Sequence, residues 1–157
     1  MSAGLPVVCN SSPLITLEQI GRLRLLADLF GEVWVPPAVV SEVAMSVTLP
    51  PTITVHPVIQ PLAAAVLRAS LGAGESEAIT LALQEKARFI ILDDRPARRM
   101  AEALGLKVMG TLGVLSAAKH KGFIVAVRPL LAELESFHFH VAPELAERVL
   151  TDVGEIY

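Results

Sequence analysis

The stretch Leu71–Arg95, LGAGESEAITLALQEKARFIILDDR, decides the fold of this chain. Apolar residues recur at helical spacing in its first half, and Gly72 and Gly74 suit a turn into the start of that helix. The segment Phe89–Leu92 then predicts a buried strand, because it is short, continuous and apolar. A helix followed by a buried strand is the repeating unit of an α/β protein.

Four acidic residues stand at the two ends of this helix–strand unit. Glu75 and Glu77 fall in or just before the first helical turn, and Asp93 and Asp94 end the strand. In a parallel α/β sheet, ligands bind outside the carboxyl ends of the strands, so Asp93 and Asp94 are where a functional acid is expected. Each acid also has a structural interpretation, because first-turn acids favour the helix macrodipole and an Asp before Pro96 suits a turn and helix cap.

Short apolar segments alternate with helical patterns along the rest of the chain. Strands are predicted at Pro6–Cys9, Val33–Val35 and Lys107–Met109, an extended edge piece at Ile53–Val58, and a helical pattern from Leu14 to Leu29 that Gly21 can break. Thr111 suits a helix N-cap, and Pro129 and Pro143 suit the first turns of two last helices. We therefore expect one domain over residues 1–157, a three-layer α/β/α fold with a mostly parallel central sheet and C-terminal helices from about residue 129.

Composition narrows the class of protein. Hydrophobic residues make up 53% of the chain and the mean hydropathy is +0.58, which favours an apolar self-association surface. The first cationic residue is Arg22, too late for a signal peptide, so a cytoplasmic location is expected. Prolines interrupt the uncharged run Ser46–Leu67 and argue against a membrane-spanning helix. With a net charge of −3, nucleic-acid contact requires a local basic patch.

Polar residues adjoin several of the predicted strands and could meet at one edge of the sheet. They are Asn10, Glu42, the pair Glu75 and Glu77, and the pair Asp93 and Asp94. Clustered carboxylates repel one another, so such a cluster normally holds a cation. Oxygen ligands favour Mg²⁺ or Mn²⁺, which can activate water and stabilise in-line attack on phosphorus.

The motifs VCNSSPLI, FGEVWVPPAVVSEV, GAGESEAITLAL, ILDDRPARRMAEALGLKVMGTLGVL and AKHKGFI occur in this order from about Val7 to Leu134. As a set they resemble the PIN-domain superfamily, in particular its VapC-like branch, often described as predicted nucleic-acid-binding proteins. The resemblance implies a metal-dependent ribonuclease, often the toxin of a toxin–antitoxin pair that a small antitoxin inhibits. It also implies RNA as the substrate and a homodimer as the assembly.

The resemblance further implies which residues bind the metal. In the family an Asp closes the first strand, a Glu lies on the second helix, an acid opens a middle helix and an Asp follows the next strand. These positions become Asn10, Glu42, Glu77 and Asp94, with Glu75 and Asp93 in reserve. Asn10 is the departure, because an amide oxygen can ligate a cation but adds no negative charge.

Three arginines and a serine complete the expected nucleic-acid contacts. Arg95, Arg98 and Arg99 follow the acids at spacings that bring them to one helix face, where they could hold phosphates. Ser12 matches the small hydroxyl residue that the family carries near its first acid. A charge run of this kind is also typical of a solvated helix surface.

Two function hypotheses stay open on these residues. In the first, the chain is a Mg²⁺- or Mn²⁺-dependent endoribonuclease toxin in which Asp94, Glu77 and Glu42 bind metal and Asn10 orients a ligand or water. In the second, loss of the first Asp leaves a non-catalytic module of the same fold that binds RNA or protein. A phospho-acceptor signalling domain ranks below both, because the first strand ends in Asn10 and the Asp pair comes late.

Overall fold

The structure is a computed structural model and describes residues 4–155. Within these residues five strands form one parallel sheet, in the order β3-β2-β1-β4-β5. The strands are β1 (Val7–Cys9), β2 (Val33–Val35), β3 (Ile53–Val55), β4 (Phe89–Ile91) and β5 (Val108–Met109). The parallel sheet confirms the predicted fold class, and the proline-flanked β3 lies at the edge, as expected for a strand between prolines.

Helices cover both faces of this sheet. In the described part of the chain they are α1 (Ser11–Gln19), α2 (Leu25–Phe30), α3 (Pro37–Val43), α4 (Pro61–Leu67), α5 (Ala73–Gln84), α6 (Arg95–Ala103), α7 (Thr111–His120), α8 (Arg128–Ser136) and α9 (Pro143–Asp152). Pro129 and Pro143 stand in the first turns of the last two helices, as predicted. None of the described helices combines the length and the apolar character needed to cross a membrane.

The two faces of the sheet bury separate apolar clusters, because side chains alternate along a strand. Val7 and Cys9 of β1 point into the larger cluster, which also takes residues of α1, α2, α3, α7, α8 and α9. Val8 points to the opposite face, where it joins the buried residues of α5 and α6. The result is the three-layer α/β/α arrangement. Cys9 is fully buried among these apolar residues, as is typical of a structural thiol.

The strand order reverses at β1, which pairs with β2 on one side and β4 on the other. Asn10 follows β1 directly, and Asp93 and Asp94 follow β4 after Leu92. A reversal of this kind leaves a crevice at the carboxyl ends of the two strands, where ligands of open α/β sheets bind.

The helical pattern from Leu14 to Leu29 is broken at Gly21, as expected, into α1 and α2, and Gly21 takes a left-handed φ of 68°, which favours glycine over other residues. One local prediction needs correction. Thr111 does not cap α7 but is its first residue, and Gly110 stands in the cap position. The Thr111 side chain instead bonds to the end of β4, which sequence periodicity does not reveal.

Candidate metal and nucleic-acid site

Asn10 lies at the centre of the crevice. Its backbone N–H donates to the carbonyl of Ile91 over 3.0 Å, which fixes the end of β1 against the end of β4. The residue is only 2% exposed, and its side-chain Oδ1 has no hydrogen-bond partner among residues 4–155. A buried acceptor without a donor is costly, so this oxygen is suited to a ligand that supplies positive charge or a proton donor.

Glu42 reaches the same crevice from α3. The hydroxyl of Ser11, the residue after Asn10, donates to its Oε1, and the backbone N–H of Gly74 donates to its Oε2 over 3.1 Å. A Cβ on Gly74 would overlap this carboxylate, at 2.8 Å from its Cδ. Glu42 is therefore held between the start of α1 and the start of α5.

Glu75 lies at the third position of α5, where the charges of Asp94 and Glu42 act on its carboxyl group. Burial raises the pKa of the Glu75 carboxyl, a hydrogen bond from the Gly72 N–H lowers it, and the charges of Asp94 and Glu42 raise it further. The nearby Asp94 carboxyl is therefore a main reason, after burial, that the net shift is upward. Like charges that act on one another in this way are stabilised by a shared proton or a cation.

Asp94 also has a structural role. It is the N-cap of α6, and its Oδ2 accepts a hydrogen bond from the N–H of Ala97 over 3.0 Å. The sequence allowed a helix cap at this Asp pair, and Asp94 is the residue that forms it. The cap occupies one oxygen of an otherwise exposed side chain, so Asp94 combines a helix cap with a place in the acidic pair.

Glu77, the helix acid that the family pattern selects, bonds elsewhere. Its Oε1 accepts a hydrogen bond from the backbone N–H of Ala38 over 2.9 Å, at the start of α3. Both Glu75 and Glu77 are helical, so two residues of separation point them about 200° apart. Glu77 ties α5 to α3, and Glu75 is the acid on the side of Asp94.

Both carboxylate oxygens of Asp93 accept hydrogen bonds from Thr111. Its Oδ1 accepts from the N–H of Thr111 over 2.8 Å, and its Oδ2 accepts from the Thr111 hydroxyl over 2.5 Å. Burial raises the pKa of the Asp93 carboxyl, while the two bonds from Thr111 and the charge of Arg98 lower it, and the net shift is upward. Asp93 joins the end of β4 to the first turn of α7.

The expected nucleic-acid residues divide into inner and outer positions. Arg98 is half-buried and donates from Nη1 to the Leu92 carbonyl over 3.1 Å, whereas Arg95 and Arg99 are exposed on α6. Ser12 is exposed, and the neighbouring Ser11 is the hydroxyl that contacts Glu42. Sequence reasoning missed Ser11, although it stands next to Asn10 in the same motif.

The oxygen donors at this edge fit a hard divalent cation. Among residues 4–155 no group of three or more His, Cys, Asp or Glu side chains is arranged to hold a metal ion by itself. Mg²⁺ does not require such a group, since it commonly binds through one or two carboxylates and completes its shell with waters and substrate phosphates. Glu75 and Asp94 would supply the carboxylates, and the unpartnered Oδ1 of Asn10 would supply a third, neutral oxygen.

A family model described as a PIN domain matches residues 6–155. The chain belongs to the PIN-domain family. The match includes every strand of the sheet and all the acids discussed above, so this PIN domain has a nuclease-type fold, in a family that generally uses divalent metals and binds nucleic acid. No curated protein and no solved structure matches the chain.

Proposed function

We propose that this PIN domain is a Mg²⁺- or Mn²⁺-dependent endoribonuclease and the toxin of a toxin–antitoxin pair. One observation carries the proposal: the charges of Asp94 and Glu42 act on the Glu75 carboxyl. Asp94 and Asn10, whose buried Oδ1 has no hydrogen-bond partner among residues 4–155, follow the neighbouring strands β4 and β1, where the strand order reverses. Like charges brought together at a ligand-binding edge are stabilised by a cation. A bound divalent cation would supply the positive charge that stabilises in-line attack of water on an RNA phosphate.

In this proposal the residues of the crevice have different roles. Glu75 and Asp94 would hold the cation, Asn10 would add its amide oxygen, and Glu42 would complete the acidic wall. Asp94 keeps one oxygen on the α6 backbone, which fixes the orientation of the other. In this assignment Glu77 and Asp93 are positioning residues, because their described hydrogen bonds go to the backbone of Ala38 and to Thr111.

The second candidate is a catalytically impaired PIN module that binds RNA or protein. It is favoured by Asn10, because an amide in place of the family's first Asp removes one negative charge from the crevice. Metal affinity falls when the ligand set loses negative charge, so such a module would retain the cation only together with RNA phosphates.

Substitutions at Asp94 and Asn10 separate the two candidates. Asp94→Asn removes the charge but retains a residue equally good as a helix N-cap, so loss of activity would not reflect loss of α6. We expect Mn²⁺-dependent cleavage of single-stranded RNA that EDTA stops and Asp94→Asn abolishes, while Asp28→Asn on α2 leaves it unchanged. A purified protein that never cleaves until Asn10→Asp is introduced would assign the chain to the binding module.

A small antitoxin, a homodimer and a cytoplasmic location complete the proposal. Self-association is supported by the apolar composition and by exposed side chains around α4, where Leu62 is 77% and Val66 66% exposed. Light scattering at micromolar concentration tests the dimer, and a monomer there would count against it. Co-purification from the native host, followed by restored RNA cleavage once the partner is removed, tests for the antitoxin.

A further inference from the structure

A second concave surface adjoins the acidic crevice and shares Asp93 with it. It is a cavity of about 570 Å³, within the range of pockets for small organic ligands. Segments from the end of β4, the start of α6, the start of α7, the α8–α9 connection and α9 line it. The carboxylate pair and the cavity are thus neighbours at the same edge of the sheet.

Small residues keep this cavity open. The wall along the N-cap and first turns of α7 carries almost no side-chain volume, because it consists of Gly110, Gly113 and Ser116. A Cβ on Gly110 would lie 2.5 Å from Nη1 of Arg98 and 3.0 Å from Oδ1 of Asp93, so a larger residue would displace both. Part of the wall is apolar, with Met109, Leu112, Leu145 and Val149, and Phe139 also lines it.

The charged groups of the cavity suit an anion. Arg98 is fixed by its bond to the Leu92 carbonyl, and Arg95 and His140 are exposed beside it. The acid of the lining, Asp93, already accepts two hydrogen bonds from Thr111. A ligand with an apolar ring system and a phosphate therefore matches the lining better than a cation or a purely apolar molecule.

We propose that this cavity is a nucleotide subsite that takes the base of an RNA residue next to the scissile phosphate. The proposal rests on the endoribonuclease assignment and specifies where the substrate binds. The base lies against Phe139 and the aliphatic wall, as unstacked bases do on aromatic side chains. Arg95 and Arg98 bind the adjoining phosphate and direct the chain toward the carboxylate pair.

Binding without turnover tests the subsite directly. In EDTA, where metal-dependent cleavage is absent, adenosine and uridine 5′-monophosphates are titrated into ¹⁵N-labelled protein beside ribose 5-phosphate, which lacks the base. At least one nucleotide is expected to bind about tenfold more tightly than ribose 5-phosphate, the contribution of one stacked base. The amides of Gly110, Gly113 and Phe139 are expected to shift with the nucleotide.

A substitution that fills the cavity provides a second test of the subsite. Ser116→Leu is expected to weaken the nucleotide about tenfold and to leave ribose 5-phosphate unchanged, because it removes only the room for the base. Ala117→Leu is the matched control, since this neighbour on α7 is also half-buried but does not line the cavity. Nucleotides that bind no better than ribose 5-phosphate, or that shift other amides, would overturn the subsite.

The two proposals fail in different ways. RNA cleavage together with no preference for nucleotides in EDTA would remove the subsite and leave the ribonuclease. If the protein never cleaves RNA but binds nucleotides, and Ser116→Leu blocks that binding, the subsite stands and the ribonuclease assignment fails. If Ser116→Leu spares nucleotide binding but releases a co-purified protein partner, the cavity belongs to that partner and the subsite is overturned.

Discussion

Gly74 donates its backbone N–H to Oε2 of Glu42 over 3.1 Å, and the Glu42 carboxylate fills the space that a side chain on Gly74 would need. The start of α5 therefore binds the side chain of Glu42, which lies on α3. Because Ser11 holds the other oxygen of Glu42, the acid is fixed from both sides of the crevice.

Gly74→Ala is expected to displace Glu42 and to lower kcat/KM for RNA cleavage at least about tenfold, equivalent to about 1.4 kcal/mol of transition-state stabilisation. The same substitution in a Glu42→Ala background is expected to cause no further loss. In that background Ala replaces Gly within a helix and stabilises the fold by up to about 1 kcal/mol. A full additional loss of activity there would show that Gly74 acts independently of Glu42.

We propose Glu75 as the metal ligand on α5, where the family pattern selects Glu77, and the same substitution at each position tests this. Glu75→Gln is expected to lower RNA cleavage more than about tenfold, because it removes a charge from the proposed cation-binding pair. Glu77→Gln keeps an oxygen for the Ala38 N–H and is expected to leave cleavage within about twofold. The reverse order of effects would restore Glu77 as the metal ligand.

Thr111 stabilises the fold through Asp93. Thr111→Val removes the hydroxyl donor from a mostly buried carboxylate and is expected to lower the free energy of unfolding by about 1–3 kcal/mol in urea denaturation. Thr80→Val is the matched control, since this buried hydroxyl donates over 2.7 Å to a carbonyl of its own helix. Equal losses in the two variants would mean that the Asp93 contact adds nothing beyond an ordinary buried hydroxyl.

The raised pKa of Glu75 predicts a pH-dependent stability in EDTA. Burial, together with the charges of Asp94 and Glu42, disfavours the ionised form in the folded state. A carboxyl whose folded pKa is raised stabilises the fold below its unfolded pKa, and this contribution is lost as the pH rises through the folded value. Wild type is therefore expected to lose stability, relative to Glu75→Gln, as the pH rises above the ordinary value of 4.5.

Thermal unfolding of both proteins measures this difference in stability between about pH 4 and pH 8. Carboxyl groups with raised pKa values titrate within this range. Added Mn²⁺ is expected to raise the midpoint of wild type more than that of Glu75→Gln at neutral pH, because a ligand stabilises the state that binds it. If the difference in stability between the two proteins does not depend on pH, Glu75 is not repelled by Asp94 and Glu42 in the folded state.

The fold was predictable because its signals are local. The apolar run Phe89–Leu92 with a helix on either side predicts a covered parallel strand, and polar residues follow β1 directly and β4 after Leu92. From there the position of Asn10, Asp93 and Asp94 at one sheet edge follows from topology, because carboxyl ends of parallel strands face the same way.

The sequence by itself therefore determined the fold class and the edge of the sheet that carries the acids. Only the tertiary structure decided which acids meet. Glu75 and Glu77, like Ser11 and Ser12, are near neighbours that suit the same motif, but on a helix they point in different directions. Which direction faces the crevice depends on how α1 and α5 pack against β1 and β4, and that packing is set by residues distant in the chain.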